Sequence, residues 1–138
     1  MNITETHQNG IIWVELDQCM FDFHETVYIC CAYITPSNST VIDTEHFYFF
    51  DEIESGLEKY KQKGKCFITG DLNSCTSNVS DVLDFDMYAD HGLKFVNIQA
   101  HTSKDHVIDR NGHCLIQVCR STSSVIGNGA FTSRRTYQ

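Results

Sequence analysis

Residues that could do chemistry lie at the ends of two apolar segments that have the composition of buried strands. Tyr33 lies near the end of the apolar segment 27–34, and Asp71 and Asn73 come just after the segment 65–69. Ligands of open α/β sheets gather at the carboxyl ends of strands. A carboxylate and an amide two residues apart point the same way, so one can hold a hydrated cation or accept a proton while the other binds a substrate oxygen. The alternative is an ordinary turn, because Gly, Asp, Asn and Ser are common loop residues.

The elements that must position these residues follow from the spacing of the apolar side chains. Segments 11–16 and 19–23 predict short strands, and segment 27–34, apolar at nearly every position, predicts an inner strand buried on both faces. From Thr44 onwards the apolar residues lie three or four apart, which predicts an amphipathic helix that ends before Gly64. Strand, helix and strand in this order predict a parallel pair joined by a crossover.

The second half of the chain has weaker patterns. Segment 113–120 predicts one short helix, and segment 124–126 predicts one short strand. No internal repeat or linker-like tract separates the two halves, so a single structural unit over residues 1–138 is expected.

Composition limits the classes of function. The chain has 138 residues, of which 41% are hydrophobic, with 10 Lys and Arg against 18 Asp and Glu, a formal net charge of −8. This composition excludes a wholly disordered protein and predicts no transmembrane helix and no membrane partner. It also argues against nucleic-acid binding through a general basic surface. The polar first ten residues do not read as a secretory signal, and seven cysteines suit reduced thiols, so an intracellular protein is expected.

The residues around Asp71 resemble a known catalytic motif. The string 70–74 reads Gly-Asp-Leu-Asn-Ser after an apolar strand, and it is similar to the G-D-F/L-N motif of the endonuclease/exonuclease/phosphatase superfamily. Segment 27–36 resembles the family's strand ending in A-Y-[IV]-x-P. Later segments resemble the R-x-S-x-D, N-x-x-G-x-x-L-L-x-x-C and N-G-R motifs of the retrotransposon-encoded branch; they are 103–105, 111–119 and 128–129. The resemblance covers about residues 10–131.

This resemblance implies a fold and a reaction. The fold would be α/β, part of a layered α/β sandwich of mixed β-sheets flanked by helices. Asp71 falls on the aspartate that orients or deprotonates the attacking water and lies at the metal, Asn73 on the asparagine that positions the scissile phosphate, and Tyr33 on the strand-end tyrosine that contacts it. The reaction implied is in-line hydrolysis of a nucleic-acid phosphodiester, DNA more than RNA, with Mg²⁺ or Mn²⁺ offsetting negative charge.

The chain also departs from the family pattern. The glutamate motif that supplies the principal metal ligand is not found before Tyr33, because Glu15 and Glu25 stand in a different context. The closing serine-aspartate-histidine motif is not found either. A partial domain, truncated at both ends and weakly active or inactive, is therefore expected. The alternative is a non-catalytic retroelement-derived remnant that acts as an interaction module and can self-associate through an exposed sheet edge.

Other chemistries fit the sequence less well. Zinc sites could be assembled from His101, Asp105 and His106, or from His113 with its neighbouring cysteines, but neither spacing matches an established signature. The acidic residues of segment 81–90 lack the EF-hand pattern of oxygens and glycine. Cys75 could be a nucleophile, although no base is identifiable from the sequence and a free loop thiol is the simpler interpretation.

Overall fold

A computed structural model describes residues 2–6, 10–21, 24–36, 45–81 and 101–128. The chain divides into two compact units, Met1–Ser74 and Cys75–Gln138. The described helices and strands make up a small α/β fold, in agreement with the predicted fold class at that level. Within the described ranges, no helix is long and apolar enough to cross a membrane.

The first unit contains a four-stranded mixed sheet with the strand order β1-β2-β3-β4. The strands are β1 (Asn2–Thr6), β2 (Ile11–Leu16), β3 (Val27–Tyr33) and β4 (Lys65–Asp71), and a short helix α1 (Gln18–Phe21) follows β2. β1 and β2 are antiparallel, β2 and β3 are antiparallel, and β3 and β4 are parallel. The predicted parallel pair is confirmed, and its crossover contains the helix α2 (Glu45–Lys61).

Helix α2 packs against β2 and β4 and covers one face of the sheet. Trp13 and Tyr60 form the centre of this core, with their ring centroids 4.8 Å apart, and Tyr28 stacks on Tyr60 at 4.6 Å. Gly56 lies directly against the Trp13 indole, so that a larger residue at this helical position would collide with the ring. Buried side chains from both layers complete the core: Ile11, Cys30, Ala32, Ile34, Phe49, Phe50, Ile53 and Leu57.

The other face of the sheet is open among the residues that the structure describes. Along β3 the buried side chains alternate with half-buried or exposed ones, and Cys31 and Tyr33 are exposed. The prediction that segment 27–34 is buried on both faces is therefore wrong for this part of the molecule. Strand β3 is an inner strand, but only its helix-facing side is covered. An apolar run predicts an inner strand whether one face or both faces of the sheet are covered. The pattern of residues along the strand does not show how many layers pack against the sheet.

One local prediction in this unit also needs correction, and one strand was not predicted. Segment 19–23 was predicted to be a strand, but residues 18–21 form α1. The Asp17 carboxylate accepts a hydrogen bond from the backbone N–H of Cys19 (2.7 Å), and this local capping interaction favours a helical turn over strand pairing. The sequence also gave no indication of β1, because its residues are mostly polar.

The second unit contains the helix α3 (Arg110–Thr122), which is longer than the predicted 113–120. Asp109 caps its amino end, accepting a hydrogen bond from the Gly112 N–H (2.7 Å). The predicted strand at 124–126 is not observed. Instead, the Ile126 N–H donates to the Asp81 carboxylate (2.5 Å), so that a side chain replaces the neighbouring strand as its partner.

Candidate functional site

Tyr33 and Asp71 lie side by side at the carboxyl edge of the parallel pair. They are register partners across β3 and β4, and the Ile34 N–H donates to the Asp71 carbonyl (2.8 Å) just beyond them. Partners in a parallel pair present their side chains on the same face. Both side chains belong to the open face: Asp71 is exposed, and 57% of Tyr33 is accessible to solvent. The predicted convergence of these two residues at one sheet edge is therefore observed.

Asn73 holds the loop against the strand ends. Its backbone N–H donates to Asp71 Oδ1 (3.1 Å), and its side-chain Nδ2 donates to the Ile34 carbonyl (2.8 Å). The backbone of Asn73 has a positive φ of 44°, a conformation that asparagine adopts more readily than most residues. These contacts form the turn that the alternative interpretation expects, and the turn fixes the position of the Asp71 carboxylate.

Gly70 explains why the motif begins with glycine. Its φ is +129°, and a Cβ at this position would collide with the backbone carbonyl of Ala32 on the neighbouring strand. Any other residue would be strained in backbone conformation and would also push β3 and β4 apart. Gly70 therefore permits the close approach that brings Tyr33 and Asp71 together.

The arrangement can accept a proton and bind an oxyanion. An ionised carboxylate is an acceptor only, while a phenol O–H donates, so Asp71 suits a water molecule or a hydrated cation and Tyr33 suits a phosphate oxygen. Mg²⁺ is usually held by one or two carboxylates together with water and substrate phosphates. One exposed carboxylate beside a phenol is compatible with that mode, although no group of three or more His, Cys, Asp or Glu gathers anywhere in the described ranges.

The glutamates Glu15 and Glu25 lie at the opposite end of the β3–β4 pair. Glu15 is the register partner of Tyr28, near the start of β3, and Glu25 pairs with Lys65 (2.9 Å) at the start of β4. Seven-residue strands separate the two ends by about 20 Å at the usual rise. Burial raises the pKa of the Tyr28 phenol, and the negative charge of the nearby Glu15 carboxylate raises this pKa further. At this separation, neither glutamate can share a cation with Asp71.

In the second unit, Cys75 is held in a setting that suppresses nucleophilic reactivity. The Cys75 N–H donates to Asp109 Oδ1 (3.1 Å), and the Asp109 N–H donates to the Cys75 carbonyl (3.0 Å). Partial burial, followed by the negative charges of Asp105 and Asp109, raises the pKa of the Cys75 thiol. A reactive cysteine needs the opposite surroundings, because the thiolate is the nucleophile. The structure thus favours the simpler interpretation of a loop thiol.

Sequence reasoning missed a buried polar network in this unit. The side chains of His101 and Asp81 are 3% and 2% exposed, and His101 Nδ1 lies 3.3 Å from Asp81 Oδ1. His101 Nε2 lies 3.2 Å from Thr76 Oγ1 and 3.1 Å from the Ser77 carbonyl. Twenty residues separate the pair along the chain, and no spacing rule links them. His101 is engaged in this network, and the zinc grouping with Asp105 and His106 is not formed.

The remaining motif residues of the second unit have structural contacts. Ser103 Oγ interacts with Asp105 Oδ2 (3.3 Å) and accepts from the Asp105 N–H (3.1 Å), so this pair forms a local turn. Asn111 is almost completely buried, and Gly112 packs against the Cys75 carbonyl so closely that a Cβ would collide with it. The acidic segment 81–90, for which a solvated loop is the favoured interpretation over a calcium site, lies outside the described residues after Asp81, as do residues 129–131.

No family model, no curated protein and no solved structure matches the chain.

Proposed function

We infer that the first unit carries the site of a metal-dependent phosphodiesterase acting on nucleic-acid phosphodiester bonds. The observation that supports this most directly is the pairing of Tyr33 and Asp71 at one exposed strand edge, with Asn73 clamped between the strand ends. The resemblance of segments 27–36 and 70–74 to the endonuclease/exonuclease/phosphatase superfamily assigns the same three residues. The layered sandwich of that superfamily is part of the same proposal.

Each of the three residues has a separate task in this proposal. The Asp71 carboxylate would orient the attacking water and accept its proton, and it is the residue that would hold the cation. The Tyr33 hydroxyl donates a hydrogen bond to a phosphate oxygen, where negative charge grows during in-line displacement. Asn73 positions Asp71 through its backbone N–H and holds the end of β3 through its Nδ2 group, and the resemblance assigns its side chain to the scissile phosphate. Bound Mg²⁺ or Mn²⁺ supplies charge neutralisation at the phosphate.

The level of activity expected is low. Among the described residues of the sheet, Asp71 is the carboxylate assigned to this edge, since Glu15 and Glu25 lie at the other end. Groups that act as a unit in catalysis lose most of their combined effect when one is missing. The criterion for the function is therefore the dependence of cleavage on the metal and on Asp71, and not its absolute rate.

Nicking of supercoiled plasmid by the full chain in Mg²⁺ or Mn²⁺ tests this proposal. The variant Asp71→Asn removes the charge but keeps an oxygen that can accept from the Asn73 N–H, so the loop should survive. The matched control is Asp51→Asn, an exposed carboxylate on α2. We expect nicking that is lost in EDTA and in Asp71→Asn and retained in Asp51→Asn. Nicking that is absent, or equal in all three proteins, would contradict hydrolysis at this site.

A second candidate function is a non-catalytic interaction module. It is favoured by the open face of the sheet, where Phe67 is 56% exposed and Ile12 is 39% exposed. Exposed apolar patches on folded domains usually mark places where another surface binds. A protein that binds through this face without any metal-dependent cleavage would fit this candidate.

A further inference from the structure

Strand β4 has an unpaired edge among the residues that the structure describes. It is the last strand in the sheet order, and within the described ranges only β3 pairs with it. The Lys65 N–H donates to the Thr26 carbonyl, and the Asp71 carbonyl accepts from the Ile34 N–H, so the backbone groups of Lys65 and Asp71 face β3. Backbone groups alternate in direction along a strand, which directs those of Cys66 and Ile68 to the outer side. An edge of this kind is a template for another strand.

The charges on β4 lie only at its two ends. The strand reads Lys-Cys-Phe-Ile-Thr-Gly-Asp, with Lys65 first and Asp71 last, and both are exposed. Natural edge strands usually carry a central charge or a proline that prevents pairing. The five residues between Lys65 and Asp71 contain neither.

We propose that β4 pairs antiparallel with β4 of a second copy of this chain, with Lys65 of each copy opposite Asp71 of the other. This register pairs all seven residues of the strand. It places one Lys65–Asp71 pair on each side of the two-fold axis. A shift by two residues in either direction removes both charge pairs, because Lys65 then faces Thr69 or a residue beyond the strand. Self-complementarity of one patch is what a two-fold interface requires.

The backbone N–H and C=O groups on the outer side of β4 face one another in this same register. Ile68 lies on the axis and faces Ile68 of the second copy, and Cys66 faces Gly70, so that outward-directed groups meet outward-directed groups. Lys65 already contacts Glu25 at 2.9 Å, but its side chain remains 67% exposed and an ammonium has three N–H donors. It can therefore bind both carboxylates.

The open face of the sheet becomes continuous across the axis. Residues that face each other in an antiparallel pair lie on the same face, so Phe67 lies opposite Thr69 of the second copy and diagonal to its Phe67. Diagonal neighbours are about 7–8 Å apart, which is within reach of aromatic side chains. Phe67, more than half exposed in one copy, would gain an apolar neighbour. The inference concerns assembly and does not rest on the proposed hydrolysis, although both proposals use the Asp71 carboxylate.

The test is the mass of the full chain in solution as a function of concentration, measured by sedimentation in about 0.15 M salt, where exposed charges are screened beyond about 8 Å. We expect a reversible dimer of the 15.8 kDa chain. The variants Lys65→Asp and Asp71→Lys each replace two attractive pairs by two repulsive ones and should weaken dimerisation roughly tenfold or more. The double variant restores opposite charges and should restore most of the affinity.

Two further variants separate pairing from folding. Phe67→Glu places like charges at diagonal positions and should weaken the dimer, while Tyr48→Glu, an exposed aromatic on α2, should not. Circular dichroism of every variant reports whether the fold is kept. A chain that stays monomeric at hundreds of micromolar, or a double variant that dimerises no better than the two single variants, would overturn the proposal.

Discussion

Asp71 and Cys75 lie four residues apart in the sequence, yet their surroundings suit them to different tasks. Asp71 is exposed at a strand end, with one oxygen fixed by the Asn73 N–H and a phenol beside it. Cys75 lies near two carboxylates, which disfavour its thiolate. Two residues of one loop therefore differ in their chemistry. The Asp71 carboxylate is exposed and can accept a proton, whereas the carboxylates of Asp105 and Asp109 disfavour ionisation of the Cys75 thiol.

The raised pKa of Cys75 predicts slow alkylation. Because only the thiolate reacts, a raised pKa lowers the reactive fraction at every pH below it and moves the reaction profile to higher pH. At pH 7.5, Cys75 should react with iodoacetamide more slowly than the exposed Cys19. Cys30, whose pKa burial raises to about 12, should not react in the folded protein. Peptide mass spectrometry after timed labelling measures all three, and equal rates at Cys75 and Cys19 would contradict this assignment.

At the scale of elements, the β3–β4 pair depends on a glycine at position 70. The sequence indicated two strands and the loop after them, but it could not show that the strands approach closely enough to exclude a Cβ. That constraint arises from the Ala32 carbonyl of the neighbouring strand. The sequence thus predicts that the two strands pair, but only the structure shows why position 70 must be glycine.

Gly70→Ala should destabilise the first unit. The substitution forces a collision with the Ala32 backbone and places a side chain at a φ of +129°, which together should lower the free energy of unfolding by about 2–4 kcal/mol. Thr69→Ala, at the exposed neighbouring position, is the control and should cost less than about 1 kcal/mol. Urea unfolding followed by circular dichroism measures both. Similar stabilities for the two variants would show that the close approach is not required.

His101→Ala should destabilise the second unit. The substitution leaves the Asp81 carboxylate buried without the imidazole and removes the contacts to Thr76 and Ser77, a change that typically costs about 3–5 kcal/mol. His106→Ala, at an exposed position, should change stability by less than about 0.5 kcal/mol. Amide hydrogen exchange in α3 is the measurement. Unchanged exchange in His101→Ala would mean that the network does not hold this unit together.

At the scale of the whole molecule, the net charge of −8 is the main obstacle to a nucleic-acid substrate. A protein without a basic surface releases few counterions from a phosphate backbone, and so gains little affinity from it. The proposed function therefore requires a divalent cation for binding as well as for chemistry. This requirement distinguishes it from the interaction module, which needs no cation.

Binding to a short DNA duplex should accordingly depend on Mg²⁺. In EDTA we expect a dissociation constant weaker than about 10⁻⁴ M, and with about 5 mM Mg²⁺ an affinity at least about tenfold higher. Fluorescence anisotropy measures this, with NaCl at equal ionic strength as the control. The gain should be absent in Asp71→Asn. Binding that is equally strong in EDTA would indicate another surface for the nucleic acid.

The local features of this protein follow from the order of its residues. The spacing of Phe50, Ile53, Leu57 and Tyr60 predicts α2, the apolar runs predict β2, β3 and β4, and the strand–helix–strand order predicts their parallel pairing. From that order alone, Tyr33 and Asp71 could be assigned to the same sheet edge. These features depend on side-chain period and chain connectivity, which a sequence records directly.

Features that depend on contacts between distant residues are visible only in the folded molecule. The open face of the sheet, the buried pair of His101 and Asp81, and the capture of the Ile126 N–H by a carboxylate each join residues without a fixed spacing. Burial, charge and hydrogen bonding at such places are set by the neighbours that folding brings together. An apolar or polar pattern along the chain carries no record of which neighbours those will be.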